Sequence, residues 1–575
     1  MDLFPAKAQF LTGENVDLIL ETAKEQWEQA EVSVFRLNDL VLRQSLRPEG
    51  RRALLRLGSF DSPFAGYGVG VRLTGGGRTA VLETAFDVTD RPKRSLRYGF
   101  VSDFASEDAN NGAMDWLRKC HINMVQFYDW SYRHDSLVSD SENYRDMMGK
   151  EISRSTVLGK VRQAKELGMR PIAYGAVYAA SREFFEQHPD WAFYNSAQQP
   201  FVFIDVFYIM NIQAGSPWRD HLIGEYRKAL EKMEFSGVHM DTYGFPKTAF
   251  SHRKEKPEWV RLDRELPTLI EETREKLSRG GADPYLIFNN VGNWPTYSTA
   301  AAPQDAVYIE VWEPYDRYCH IARLIDDAKA AGGGKQVILA AYLTPFRTEE
   351  RYRAMSAARL LTAAIVSQGA THLLLGENRA VLTQGYYSDY TRLEEEEAGL
   401  LRRYYDFLVR YLELFYDDGL QTVSMTHTGW DNYEYRCLNV PASAWGEAGK
   451  LWMIARERKE RKLLSFVNLC GCDDDHWDRG KPMPTVQRGV RVKVQVDFPV
   501  KGIYTASPDG PSLAAQEVPY SVENSEKGCF VEFELSGVEL WRIVWIEMKG
   551  GNENEEEEKE PFDRFFDVLC FSGVL

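Results

Sequence analysis

The chain has 575 residues, room for three or four domains at roughly 150 residues each. Acidic residues outnumber basic ones 85 to 69, a net charge of −16, which speaks against a nucleic-acid groove and against attraction to an anionic membrane surface. Hydrophobic residues make up 44% and aromatic residues 13%. That is enough apolar material for several cores, and the flat rings suit sugar stacking as well as packing.

The N-terminal MDLFPAK has no basic stretch leading into an apolar one, and no run approaches the roughly 18 apolar residues of a membrane span. A cytoplasmic protein is the simplest expectation, although a mature secreted chain reads the same way. Residues 1–95 carry short alternating runs such as Asn15–Leu20 and Gly66–Val71, separated by Gly, Asp and Pro turns, a pattern for a small β-sandwich. From residue 96 the rhythm becomes strand, turn, helix.

Eight strands are expected: 97–104, 123–130, 170–179, 236–244, 285–294, 306–314, 336–346 and 371–377. Amphipathic helices lie between them, among them 157–167, 259–277, 321–331 and 353–368, and a long helix follows at 394–415. Eight such repeats over 96–415 predict a (β/α)8 TIM barrel. An open doubly wound sheet is the competitor, but no Gly-rich phosphate loop follows the first strand. Residues 416–548 return to β and predict a second sandwich. Residues 549–575 contain GNENEEEEKE and are expected to form an acidic, disordered tail.

Barrels carry their chemistry at the carboxyl ends of the strands. Those ends supply Asp103, Asp129, Tyr178, Asp241, the amides Asn289, Asn290 and Asn293, the pair Glu310 and Glu313, Thr344 and Glu377. Trp130, Trp294 and Trp312 accompany them. The seven dispersed cysteines give no CxxC pair, and neither HExxH nor GxSxG occurs, so no metal and no cofactor is expected. Carboxylates, amides and aromatic faces without metal fit glycosidic bond chemistry.

Asp241, in GVHMDTYG, follows an apolar strand and is the leading carboxylate; its structural alternative is a cap for the next helix. Tyr243 belongs to the same motif. Glu310, in VYIEVWEP, shares a face with Tyr308 and Trp312 if the strand alternates, and desolvation there would raise its pKa into general-acid range. Glu313 is the alternative. FYDWSYRHD reads as a sugar clamp through Asp129, Trp130, Tyr132 and His134, or as a network pinning a loop. FNNVGNWP offers hydroxyl partners in Asn289, Asn290, Asn293 and Trp294, or simply turn chemistry.

QFYDWSYRHD, GVHMDTYG, FNNVGNW and YIEVW, in this order between two β-domains, resemble glycoside hydrolase family 66, over residues 1 to about 548. That family contains endo-dextranases and cycloisomaltooligosaccharide glucanotransferases. The resemblance implies an immunoglobulin-like N-terminal sandwich, a catalytic (β/α)8 barrel and a C-terminal Greek-key domain. It also implies a retaining mechanism on α-1,6-linked glucans of dextran or isomaltooligosaccharides. Asp241 matches the family's nucleophile, Glu310 its acid/base with Glu313 as the alternative, and Asp129 a residue binding the sugar at the cleavage point. Cyclising members carry a carbohydrate-binding module inserted in the barrel region. Here only one helix is expected between the seventh and eighth strands, which favours hydrolysis over cyclisation. A non-catalytic glycan-binding protein is the remaining alternative.

Overall fold

The structure is a computed structural model and describes residues 1–22, 27–424 and 432–549. It is a mostly β, multi-domain protein organised around a curled sheet of eleven strands. Eight strands of that sheet run parallel: β1 (Tyr98–Val101), β2 (Met124–Phe127), β3 (Arg170–Ala176), β4 (Gly237–Asp241), β5 (Tyr285–Val291), β6 (Ala306–Glu310), β7 (Val337–Ala340) and β8, whose two pieces are Thr371–His372 and Leu375–Gly376. They lie side by side in sequence order. The first piece of β8 pairs with β7, and the second pairs with β1. Ala380–Val381 and Thr391–Arg392 extend the sheet as antiparallel strands.

Alternation sorts each strand into two faces. On β6, Tyr308 packs in the inward cluster with Tyr98, Ile287 and Ile338, whereas Val307 and Ile309 pack outward against helices. The outer layer includes helices Arg154–Glu166, Pro217–Lys232, Leu262–Leu277, Tyr318–Ala331 and Arg351–Ser367. The helix expected over 259–277 starts later, because Trp259 lies in a hairpin strand, Glu258–Arg261, paired with Thr248–Ser251. Two helices separate β7 from β8, the first only a single turn, Pro345–Thr348. The long helix ends at Arg410, and a further turn, Leu412–Phe415, completes the expected 394–415 segment.

Residues 2–89 form a three-stranded and a five-stranded sheet around one apolar core. The five-stranded sheet rests on helix Glu395–Arg410, and two glycines explain the closeness. A side chain at Gly66 would meet the Val409 carbonyl oxygen at 2.0 Å, and one at Gly68 would meet the Arg410 guanidinium at 2.4 Å. Buried Arg97, at the start of β1, reaches back to buried Asp87 at 2.8 Å. A lone buried charge is costly, so this pair ties the two units together strongly.

Beyond residue 416 a seven-stranded and a four-stranded sheet enclose a second β core. The seven-stranded sheet presents Trp541 to Phe407 of the long helix, ring centroids 4.8 Å apart. The acidic tail expected from residue 549 lies, from residue 550 on, outside the described residues. No helix among the described residues is long and apolar enough to cross a membrane.

Candidate active site

At the carboxyl ends of β4, β5 and β6 the curled sheet opens into a cavity of about 570 Å³. Asp241 is the last residue of β4 and Glu310 the last of β6. Asn289 sits between them on β5. Strand register places the three together: Met240 faces Phe288, and Asn289 faces Tyr308. The Asn289 side-chain nitrogen donates to Asp241 Oδ1 at 2.7 Å and to Glu310 Oε2 at 2.9 Å. An amide nitrogen carries two protons, so both bonds form at once. The two carboxylate oxygens therefore lie no further apart than those two bond lengths laid end to end.

Each carboxylate has a second donor. Tyr174, on β3, gives its hydroxyl proton to Asp241 Oδ2 at 2.6 Å, and Tyr342, just past β7, gives its own to Glu310 Oε1 at 2.7 Å. Tyr342 leads on to Tyr387, whose hydroxyl meets that of Tyr308 at 2.6 Å. His239, two residues before Asp241 on the same face, bonds the Tyr98 hydroxyl at 2.7 Å. Burial pushes His239 down to about 3, so the floor below Asp241 carries no positive charge.

Burial drives both carboxylates toward the protonated form. Asp241 is pushed up to about 7, first by desolvation and then by the Glu310 charge; the Tyr174 and Asn289 hydrogen bonds pull the other way. Glu310 is also raised by desolvation, against the hydrogen bonds from Asn289 and Tyr342. Two like charges sharing one buried amide cannot both ionise at ordinary carboxylate pH, so the pair retains a proton far longer than free carboxylates do.

The cavity brings together Asp241, Tyr243, Asn289, Trp294, Glu310, Trp312 and Glu313 from the expected set. Trp312 stands 44% exposed at the rim, its ring edge-on to Tyr342 at 5.3 Å. Trp294 lies under the Lys247 ammonium at 5.5 Å. Glu313 is exposed at the mouth, away from the Asn289 amide.

The other expected site residues do not line this cavity. Trp130 is fully buried, its indole N–H donating to the Tyr174 carbonyl and its ring against Phe235. Tyr132 packs edge-on to Tyr144, with Arg133 over its face. His134 is buried between Tyr174 and Phe207, and burial lowers it to about 4. The Tyr178 hydroxyl accepts the Tyr243 backbone N–H at 2.6 Å beneath the cavity wall. Asn290 faces outward, donating to the Tyr308 carbonyl and accepting from Thr299. Asn293 occupies a turn at φ 63°, and Thr344 bonds the Thr383 carbonyl.

Glu377 has no exposed surface; it accepts from the Asp103 N–H and Asn111, and pairs with Lys160 at 2.8 Å. Asp103 accepts from the Tyr390 hydroxyl. Asp129, at φ 50° and 8% exposed, follows the cavity residue Tyr128, and burial holds its carboxyl well above the usual range. Tyr174, Tyr342, Tyr387 and Tyr128 also line the walls and lie outside the set of strand-end residues. The expected strand 170–179 ends at Ala176 in the structure, so the β3 residue that reaches the cavity is Tyr174, four positions before Tyr178.

The family model for glycosyl hydrolase family 66 matches residues 5–545. A cycloisomaltooligosaccharide glucanotransferase from Niallia circulans is 21% identical, the match covering 95% of this chain and 71% of that protein. A dextranase from Streptococcus salivarius is also 21% identical, over 58% of this chain and 46% of that protein. Among solved structures, a Paenibacillus sp. cycloisomaltooligosaccharide glucanotransferase complexed with cycloisomaltoheptaose superposes with a TM-score of 0.85 at 20% identity, covering 95% of this chain and 99% of that one. With its family model spanning nearly the whole length, the chain belongs to glycosyl hydrolase family 66.

Proposed function

We propose that this protein cleaves α-1,6-glucosidic linkages of dextran or isomaltooligosaccharides with retention, Asp241 acting as nucleophile and Glu310 as general acid and base. The observation that carries this reading is the Asn289 amide bridging the two carboxylates at the floor of the cavity. The bridge limits how far apart the two bonded oxygens can lie, which is compatible with the roughly 5–5.5 Å separation of a retaining double displacement. We also read the eight parallel strands, joined through β8 to both β7 and β1, as a closed (β/α)8 barrel with its site at the usual carboxyl end. Glu310 is preferred to Glu313 because Glu310 shares the amide with Asp241.

The charges suit this chemistry. Burial and the Glu310 charge favour the pair's shared proton on Asp241 in the free enzyme. Catalysis requires that proton to sit on Glu310 once a glucan is bound, leaving one carboxylate to attack and one acid to give. Asp241, with its negative charge supported by Tyr174 and Asn289, attacks the anomeric carbon while Glu310 protonates the departing glycosidic oxygen. Once Asp241 is an ester it no longer shares the pair's proton, and Glu310 is left as the titrating carboxyl of the two. Glu310 then accepts a proton from the incoming water or sugar hydroxyl as that oxygen bonds the anomeric carbon and displaces Asp241 as its carboxylate. Water gives hydrolysis and a sugar hydroxyl gives transfer. The relatives' names include both outcomes, and transfer is the second reading because a glucanotransferase aligns over most of the chain.

The test is incubation with dextran and isomaltooligosaccharides, followed by reducing-end and product analysis. New reducing ends are expected from the wild type, and a loss of at least about a thousandfold from Asp241→Asn. A mechanism-based fluorinated glucoside should label Asp241. Full activity in Asp241→Asn would remove the assignment, and glycan binding without turnover in the wild type would favour a non-catalytic role.

A further inference from the structure

A second cavity, of about 600 Å³, lies at the opposite end of the curled sheet, between the C-termini of helices Tyr318–Ala331 and Arg351–Ser367 and the C-terminal β unit. Lys329 and Arg456 both face it. Their charged heads converge on Gly369: a side chain there would meet Lys329 Nζ at 2.9 Å and Arg456 Nη1 at 3.0 Å. Gly369 has φ 72°, where glycine is favoured, and its missing side chain keeps the space between the cations open.

The protein leaves both cations short of partners. Lys329 donates to the Gln368 carbonyl at 2.6 Å, and Arg456 Nη1 to the Phe415 carbonyl at 2.7 Å. These are helix-end carbonyls, favourable for a cation, but they use one donor on each side chain. Arg456 is only 3% exposed, and its Nε has no hydrogen-bond partner. Among the described residues no carboxylate comes within ion-pair distance of either head, although three line the same cavity. Asp417 is taken by Arg458 at 3.0 Å and Asp418 by Arg94 at 3.4 Å. Asp326 forms no ion pair of its own among the described residues. All three acids act on Arg456, and Asp326 and Asp418 on Lys329, only from beyond ion-pair distance. Burial without a counter-ion is expensive for a charge, and burial lowers Lys329 to about 7.

We propose that this cavity binds a small molecule through an oxyanion, a phosphate or carboxylate group, seated between Lys329 and Arg456. The anion completes the donors that the two carbonyls leave over and brings a negative charge within bonding distance of both cations, which none of the cavity's carboxylates does. The volume is in the range of metabolite pockets and exceeds a bare phosphate, so the ligand carries a further polar portion. The site is remote from Asp241 and does not depend on the reaction proposed there.

The test is thermal unfolding of the full chain at pH 6, where Lys329 is charged, titrated with inorganic phosphate or acetate at ionic strength held constant with chloride. A saturable rise in Tm with either oxyanion is expected. Lys329→Gln should weaken that response at least about tenfold, since it removes a charge-assisted bond. Asp326→Asn should strengthen it several-fold by removing the competing carboxylate. No saturable rise beyond chloride for either oxyanion in the wild type overturns the proposal, and so does an unchanged response in Lys329→Gln. Where Lys329→Gln does not fold, the Asp326→Asn titration decides: tightening supports the site, and an unchanged midpoint overturns it.

Discussion

The Tyr342 hydroxyl donates to Glu310 Oε1 at 2.7 Å, from just past the strand that follows Glu310's own in the sheet. This bond favours the ionised carboxylate, against a burial that favours the protonated one. Tyr342→Phe removes the donor and leaves the desolvation in place, so Glu310 should hold its proton to higher pH. The alkaline limb of kcat/KM is expected to move up by about one pH unit, with activity at the optimum lowered about tenfold. A pH–rate profile checks both. A limb that stays in place would mean that Glu310 does not set it.

Asn289 holds both carboxylates through a single nitrogen. Asn289→Ala should therefore raise both and loosen their spacing, costing on the order of a hundredfold to a thousandfold in kcat. KM should change far less, because the lost contacts are to the enzyme's own carboxylates. Steady-state kinetics on an isomaltooligosaccharide separates the two. A change confined to KM would point to Asn289 as a sugar ligand instead.

The raised Asp241 carboxyl also makes stability depend on pH. Its ordinary value is near 3.9 when unfolded, and it is about 7 in the folded protein, so the folded state binds the proton more tightly. That stabilisation is complete below about pH 4 and is lost as pH rises through 7. Asp241→Asn carries no titrating group there. Its Tm relative to the wild type should be higher at pH 8 than at pH 5, by roughly 2–4 °C or more. Equal differences at the two pH values would contradict the buried-pair electrostatics.

Asp241 and Glu310 were legible because a carboxylate at the end of an apolar strand has one obvious place to go. The alternation of VYIEVW supplied the phase for Glu310. Trp130, Asn290 and Glu377 were legible as strand-end residues but not as to which side they face. A single residue past the last ladder bond turns a side chain from cavity to core. The tyrosines were hidden for a related reason. Tyr174 reads as an ordinary apolar strand residue, and only the sheet's curl brings it beneath the carboxylates, whereas Tyr308 is visible from alternation as a neighbour of Glu310 on the same face. Tyr387 comes from beyond β8, in a loop whose position no periodicity encodes. The two units flanking the sheet left clear turn-and-strand patterns, yet the Gly66 and Gly68 contact with the long helix became visible only in three dimensions.

Glu377 illustrates that difference in a form that can be measured. It pairs with Lys160 and accepts from the backbone of β1's exit and from Asn111, all without exposure to solvent. Glu377→Gln leaves a buried ammonium without its counter-charge, and the new amide protons oppose the donors already aimed at that site. A loss of about 3–5 kcal/mol in unfolding free energy is expected, the range seen when one partner of a buried pair is removed. The folded fraction should keep its KM, because no part of Glu377 reaches the cavity. Denaturant unfolding together with kinetics on the soluble fraction tests this. A raised KM at unchanged stability would return Glu377 to the sugar-binding role its strand-end position first suggested.

Trp312 is the opposite case, exposed at the rim beside Tyr342 rather than built into the core. Nearly half of its surface is open to solvent, so its removal should cost the fold little, about 1 kcal/mol. What it offers is a flat apolar face next to Glu310, on the side where a sugar ring leaving or entering would pass. Trp312→Ala is expected to raise KM about tenfold, in keeping with the roughly 0.5–1.5 kcal/mol of an aromatic contact beyond simple burial. Trp312→Phe should recover most of that loss, since it keeps a ring. The kcat for short substrates that do not reach the rim should fall less than KM rises for long ones, since the Trp312 side chain also helps to keep Glu310 ionised. Chain-length series on the three proteins would show it. A loss equal for the shortest and the longest isomaltooligosaccharides would place Trp312 at the reacting sugar instead of at the rim.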